Sequence, residues 1–106
     1  MTTFDDRERA FENLFAHDQE LAFRAQARRD HAVALWAAGH LGHAGAEAEA
    51  YAAALLTAAT EGNGDETVVA KLLADFKAGN VHISEHQIRR QMQTELAVAT
   101  ERLKTE

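Results

Sequence analysis

No proline interrupts the 106-residue chain, and this absence constrains the fold more than any other feature of the sequence. Proline breaks helices because it lacks an N–H donor and clashes with the preceding turn, whereas alanine, which is abundant here, has the highest helix propensity. A chain of this length builds one hydrophobic core but not two. We therefore predict an all-α fold with a single globular domain.

The clearest helix is predicted over residues 85–103. Ser84 and Gln87 have the spacing of a capping box, and Ile83 and Ile88 that of a hydrophobic staple. Apolar residues then recur at spacings of three and four, as a core-facing helix requires. The residues predicted to form this apolar stripe are Ile88, Met92, Leu96, Ala99 and Leu103.

Two shorter helices are predicted before it, over residues 46–60 and 66–78. The string EGNGD at 61–65 marks the loop between them, with Asp65 as the predicted N-cap of the later helix. Gly79 and Asn80 are expected to end that helix, with the glycine in the left-handed conformation. The residues predicted to face the core are Tyr51, Leu55, Ala58, Val69, Leu72, Leu73 and Phe76.

The first helix is predicted to be much longer than the others. From Thr3, nothing obliges it to end before the glycine-rich string GHLGHAG at 39–45. About 36 helical residues span roughly 54 Å, whereas the other three helices span roughly 20–29 Å each. We therefore predict a four-helix bundle over residues 20–106 and a projecting or partly disordered arm over residues 1–19. The first-helix residues predicted to enter the core are Ala25, Ala32, Leu35 and Trp36.

The arm carries an apolar line on a charged helix. Phe4, Phe11 and Phe15 fall within an arc of about 40° at helical spacing, and acidic and basic side chains surround them. In one interpretation, the arm folds back or frays and the rings cover a small satellite cluster. In the other, the arm is a docking helix that lays its apolar line into a groove of another protein.

Composition excludes several classes of function. The net charge of −6 argues against a nucleic-acid partner, and the pairs Arg28–Arg29 and Arg89–Arg90 are attributed to solvated helix faces. Without cysteine there is no disulfide, which fits a cytoplasmic location. The N-terminal residues lack a signal-peptide pattern, and no apolar run approaches the 18 residues of a membrane span. We expect no direct membrane contact.

No constellation in the sequence predicts catalysis, a metal site or a cofactor. His40 and His43 straddle a glycine turn, and Ser84 as a cap places His82 outside the helix that holds His86. The acidic string EGNGDE lacks the lysine and hydroxyl residue of a phosphate loop. We therefore predict that the chain is not an enzyme.

The strings TTFDDRERAFE, FAHDQELAF, ARR, LWAA, AYA and SEHQIRR together resemble the ATPase inhibitor subunit zeta family of alphaproteobacterial F-type ATP synthases. The resemblance covers nearly the whole chain. It implies a four-helix bundle whose N-terminal segment enters an interface between catalytic and noncatalytic subunits of the ATPase head. There the segment blocks rotation in the hydrolytic direction. Leu14 stands where a lysine is common in the family.

The resemblance also implies which residues bind the partner. Matched by position, these are Phe4, Asp5, Asp6, Arg7, Glu8, Arg9, Phe11, Glu12, Leu14 and Phe15. The expected partner is the catalytic head of the F-type ATP synthase, on which the protein is peripheral. The alternative function is a small helical module in which Arg28, Arg29 or Arg89 holds an anionic ligand such as a weakly bound nucleotide.

Overall fold

The structure, a computed structural model, describes residues 19–106. Within this range the chain forms four helices and no strand: α1 (Gln19–His40), α2 (Ala46–Glu61), α3 (Asp65–Ala78) and α4 (Glu85–Thr105). The all-α, four-helix prediction is confirmed. The predicted arm falls almost entirely outside the described residues, and the division into residues 1–19 and 20–106 stays a prediction.

All four helices contribute to one core. α1 packs mainly against α2 and α4, and α3 closes the bundle against α2 and α4. The largest fully buried side chains are Val33, Leu55, Val68, Leu72, Phe76 and Ile88. Trp36 and Tyr51 were expected as core anchors, and both are half-buried against this core. The Trp36 ring meets the Phe76 ring edge to face, with 5.7 Å between centroids.

The buried face of α1 is rotated from the predicted one. Ala25 is buried as predicted, but Ala32, Leu35 and Trp36 are only half-buried. The residues that α1 buries completely in their place are Val33, Ala34, Ala37 and Ala38. Small side chains allow α2 and α4 to approach α1 closely, whereas the bulky residues lie at the edge of the contact. In α2, Leu55 is buried as predicted, while Tyr51 and Ala58 are half-buried.

The start of α4 confirms the capping prediction in detail. The Gln87 backbone N–H donates to Ser84 Oγ at 3.1 Å, and the Ser84 N–H donates to Gln87 Oε1 at 2.8 Å. Both interactions satisfy N–H groups that the first helical turn leaves without a partner. Ile83 packs against the core that contains Ile88, as a staple requires.

The end of α3 lies where it was predicted, but a different residue turns the chain. Asn80, not Gly79, adopts the left-handed conformation, with φ of 58°. The Val81 N–H bonds the Phe76 carbonyl at 2.8 Å and the Asn80 N–H bonds the Lys77 carbonyl at 3.2 Å, the Schellman pattern. A side chain at Gly79 would crowd its neighbours, because an added Cβ would lie 2.9 Å from Leu41 Cδ2 and 3.3 Å from the Asp75 carbonyl oxygen.

The helix lengths modify the argument about the arm. α1 and α4 have 22 and 21 described residues, whereas α2 and α3 have 16 and 14. Within the described residues, α1 is therefore clearly longer than α2 and α3 but only one residue longer than α4. Among these helices none is long and apolar enough to cross a membrane.

Candidate partner-binding site

The residues predicted to bind a partner, numbered 4–15, all lie outside the described residues. What the structure provides is the helix to which they are joined. Residues 19–24, which we call the leading turns of α1, connect directly to the predicted arm. The contacts of α1 within the bundle are therefore the part of this region that the structure describes.

α1 is held by an ionic cluster of Arg29, Asp30 and Asp65, which we call the anchoring cluster; Arg29 and Asp30 are buried, and the Asp65 side chain is 54% exposed. Arg29 and Asp30 are 5% and 8% exposed. Arg29 Nε donates to Asp30 Oδ1 at 2.9 Å, and Arg29 Nη2 donates to Asp65 Oδ1 at 2.6 Å. Because Asp65 opens α3, this cluster fixes the middle of α1 to the start of α3.

The anchoring cluster corrects two predictions. Arg29 does not belong to a solvated face, because the bundle buries it between two carboxylates. Asp65 is not the N-cap of α3: Gly64 occupies that position with φ of 55° and without a side-chain cap. A positive φ is readily accessible to glycine, which leaves the Asp65 carboxylate free to bind Arg29.

The environment of the cluster shifts two pKa values. Burial raises the pKa of Asp30, because the loss of hydration outweighs the attraction of Arg29, and nearby Asp65 adds repulsion. The pKa of Arg29 is also raised: burial lowers it, but the two carboxylates outweigh that effect. Arg29 therefore remains a cation at every pH at which the protein folds.

A second tie joins α1 to the end of the chain. Arg28 Nη2 donates to both Glu106 carboxylate oxygens, at 2.9 and 2.8 Å. The Arg28 side chain is 41% exposed, so this bond contributes less than the anchoring cluster does. Together, Arg28 and Arg29 tie successive positions of α1 to Glu106 and to the start of α3.

The leading turns of α1 differ from the part that follows. Phe23 is 66% exposed, although the large apolar residues deeper in α1 are at least half-buried. Arg24 pairs with Glu20 on the same helix, with 3.2 Å between Nη2 and Oε1. Sequence reasoning did not single out Phe23, although its spacing of eight residues from Phe15 was visible.

The arginines invoked for the anion-binding alternative are all engaged by carboxylates. Arg28 binds Glu106, Arg29 binds Asp30 and Asp65, and Arg89 binds Glu66 and Glu85. The Arg89 pairs raise the pKa of its guanidinium. A nucleotide phosphate would have to displace one of these carboxylates, so this geometry does not favour the alternative.

An open groove of about 540 Å³ lies between α1, α2 and α4. Its apolar lining comes from Leu35, Leu56 and Val98, and Arg28 and His31 stand among the polar lining residues. His31 Nε2 lies 2.9 Å from Glu49 Oε2, so both of these polar groups already have acidic partners. The other two charged residues of the lining, Arg102 and Glu95, have opposite signs.

Three histidines in the described part of the chain, His31, His40 and His43, contact aromatic or acidic neighbours. The His40 ring meets Trp36 edge to face at 5.2 Å between centroids. His43 Nδ1 lies 3.3 Å from Glu47 Oε2, and its ring lies 5.9 Å from that of Tyr51. Within residues 19–106, no group of three metal-binding side chains is assembled.

A comparison with known protein families identifies the family of this chain, which the geometry alone does not. A family model described as ATPase inhibitor subunit zeta matches residues 1–102. The chain belongs to this family. By its description this is a family of inhibitor subunits, which are regulatory proteins, and the zeta-family chain is one of them. No curated protein matches the chain. The match includes the arm and all four helices except the last residues of α4, which confirms the resemblance seen in the sequence.

Proposed function

We propose that the chain inhibits ATP hydrolysis by the F-type ATP synthase, with residues 1–19 as the inhibitory arm. The arm inserts into a catalytic interface of the ATPase head and blocks rotation in the hydrolytic direction. The observation that carries this proposal is the family match, which spans residues 1–102 and so includes the arm together with the bundle. The protein acts as a peripheral partner of the head.

The packing of the bundle supports the separation of roles. The core cluster is built from residues 33–92, with contributions from α1, α2, α3 and α4. Every buried side-chain nitrogen or oxygen within the described residues has a hydrogen-bond partner. The described residues thus form a core of their own, and we assign the aromatic rings of the arm to the partner.

The anchoring cluster fixes the helix that follows the arm in the chain. Arg29 lies ten residues after Gln19, about 15 Å along the helix, and is bonded to α3 through Asp65. Because α1 is bonded to α3 at Arg29, its leading turns keep one orientation relative to the bundle. Positioning the arm in advance reduces the entropy lost when it binds.

The composition of the arm fits an inserted helix. Phe4, Phe11 and Phe15 provide apolar anchors on one face, and Arg7 and Arg9 pair with carboxylates of the target. A helix of this length buries several hundred square ångströms per partner, near the lower half of the standard range. Leu14 adds apolar area at a position where lysine is common in the family. The acidic residues Asp5, Asp6, Glu8 and Glu12 complete the proposed contact surface at its rim.

The test is inhibition of the purified cognate ATPase head. Adding the full-length protein should lower steady-state ATP hydrolysis, and deleting residues 1–16 should abolish that inhibition. The truncated protein should keep its helical circular dichroism signal and its cooperative melting, because the core lies in residues 33–92. Equal inhibition by the truncated protein would refute the role of the arm.

Point variants locate the effect within the arm. Replacing Phe4, Phe11 and Phe15 together by alanine should weaken inhibition as strongly as the deletion does, because alanine keeps the helix propensity and removes the rings. Leu56→Ala, in the lining of the open groove on the bundle, is the matched loss of an apolar side chain away from the arm. It should leave the inhibition unchanged.

A further inference from the structure

Phe23 is the most exposed large apolar side chain in the part of the chain that the structure describes. It is 66% exposed, and the next such residue, Val98, is 38% exposed. A single exposed apolar residue is common on protein surfaces and needs no explanation by itself. The position of Phe23 on its helix is what makes it informative.

Phe23 lies on the stripe of α1 that the bundle buries further along. Residues 7, 11 and 14 positions later share its face of the helix, and these are Asp30, Ala34 and Ala37. Asp30 is 8% exposed, and the two alanines are fully buried. The core-facing stripe therefore continues to Phe23, but the neighbouring helices no longer cover it there.

The neighbours of Phe23 on the helix surface are polar. Gln19 and Gln26 lie on the same side of the helix, and both are exposed. Glu20, three residues before Phe23, is also a neighbour, and its carboxylate pairs with Arg24. Aromatic rings are enriched at the centres of protein interfaces, and the two charged residues of the leading turns already neutralise each other within α1.

We propose that Phe23 is an additional contact with the ATPase head, which extends the binding surface from the arm into the leading turns of α1. This inference rests on the proposed function. The head is the occupant we assign because Phe23 lies only four residues after Gln19, about 6 Å along the helix. A partner that holds residues 4–15 is therefore adjacent to this ring, which the neighbouring helices leave uncovered.

The first experiment compares Phe23→Ala with Val98→Ala in the inhibition assay. Loss of an anchoring aromatic ring should raise the concentration for half-maximal inhibition by about fivefold or more. Val98→Ala removes the other exposed apolar side chain and should leave this concentration unchanged. Both variants should melt as the wild type does, since neither residue is buried. An unchanged value for Phe23→Ala would overturn the inference.

Photo-crosslinking identifies the occupant. With benzoylphenylalanine at position 23, the protein should form a crosslink to a subunit of the purified head, whereas the same group at position 98 should not. A crosslink only between two copies of the chain, with dimers that Phe23→Ala abolishes, would overturn the inference in favour of self-association.

Different results would contradict the proposed function and the proposed Phe23 contact. Suppose that the wild type inhibits, that the variant lacking residues 1–16 does not inhibit, and that Phe23→Ala inhibits as strongly as the wild type. Only the proposed role of Phe23 is then wrong. If the wild type itself neither inhibits the head nor crosslinks to it, the proposed function fails, and the Phe23 contact fails with it.

Discussion

Arg29 and Arg89 bind neighbouring carboxylates at the start of α3 from two different helices. Arg29 reaches Asp65 from α1 with 2.6 Å between Nη2 and Oδ1, and Arg89 reaches Glu66 from α4 with 3.0 Å between Nη2 and Oε2. The Arg29 side chain is 6% exposed and that of Arg89 is 38% exposed. The same chemistry thus occurs once inside the bundle and once on its surface.

The difference in burial decides what each arginine contributes. Breaking a buried ion pair leaves a charge without water and without a partner, which costs much more than the intact pair contributes over an apolar replacement. An exposed pair is screened by solvent and salt, and its charges are hydrated again when it separates. Arg29 should therefore determine whether α1 is held in place, whereas Arg89 should matter little.

The largest expected effect comes from Arg29→Met. Methionine approximates the aliphatic stem of arginine and matches its helix propensity, but leaves the buried Asp30 carboxylate without its cation. We expect the free energy of unfolding to fall by about 3 kcal/mol, the cost typical of a broken buried pair. Urea denaturation followed by circular dichroism measures this loss.

Arg89→Met is the matched control for that experiment. It removes the same charge from an exposed site, so its loss of stability should be far smaller. Equal losses in the two variants would show that burial does not separate these arginines, and the comparison would fail.

A second variant tests why the loss occurs. If Asp30 is destabilising once its cation is removed, then Asp30→Asn in the Arg29→Met background should recover about 1–2 kcal/mol. The asparagine keeps the shape of the side chain but carries no charge. No recovery in the denaturation midpoint would mean that lost packing of the Arg29 stem, not the unpaired carboxylate, explains the effect.

The pKa of Asp30 predicts a smaller, pH-dependent effect. Its folded-state pKa is raised by burial above the ordinary value of 3.8, so the folded protein holds this proton more tightly than the unfolded chain does. The contribution to stability is complete below the unfolded-state pKa and is lost as the pH rises through the folded-state pKa. Stability relative to Asp30→Asn should therefore decrease from acidic toward neutral pH.

Parallel denaturation of the wild type and Asp30→Asn over this pH interval checks the sign. If the advantage of the wild type instead grows toward neutral pH, the attraction of Arg29 exceeds the cost of burial, and the direction of the shift is wrong.

Much of the fold was predictable because its signals are local. Ser84 and Gln87, within four residues of sequence, predict the start of α4. The glycine-rich strings end α1 and α2 where expected. The C-terminal end of α3 was also placed correctly, although Asn80 rather than Gly79 supplies the left-handed residue. Local hydrogen bonding thus fixes boundaries even when the residue responsible is misidentified.

The pairing of distant residues was not predictable from the same signals. Arg29 and Asp65 are 36 positions apart, and nothing in either neighbourhood distinguishes a buried cation from a solvated one. Phe23 was also missed, because its exposure depends on where the other helices end, and the local sequence does not show this. The proposed arm residues came from resemblance to a family, which the match over residues 1–102 confirms at the level of the family.

The smallest expected effect concerns salt. At about 1 M NaCl the Debye length falls to about 3 Å, so exposed charges cease to attract each other beyond direct contact. The small loss of stability caused by Arg89→Met should then vanish, whereas the loss caused by Arg29→Met should persist because salt does not enter the bundle. Denaturation of both variants at low and high salt measures this. A loss for Arg29→Met that also disappears at high salt would mean that water and ions reach Asp30, and that α1 is less firmly held than its buried cluster implies.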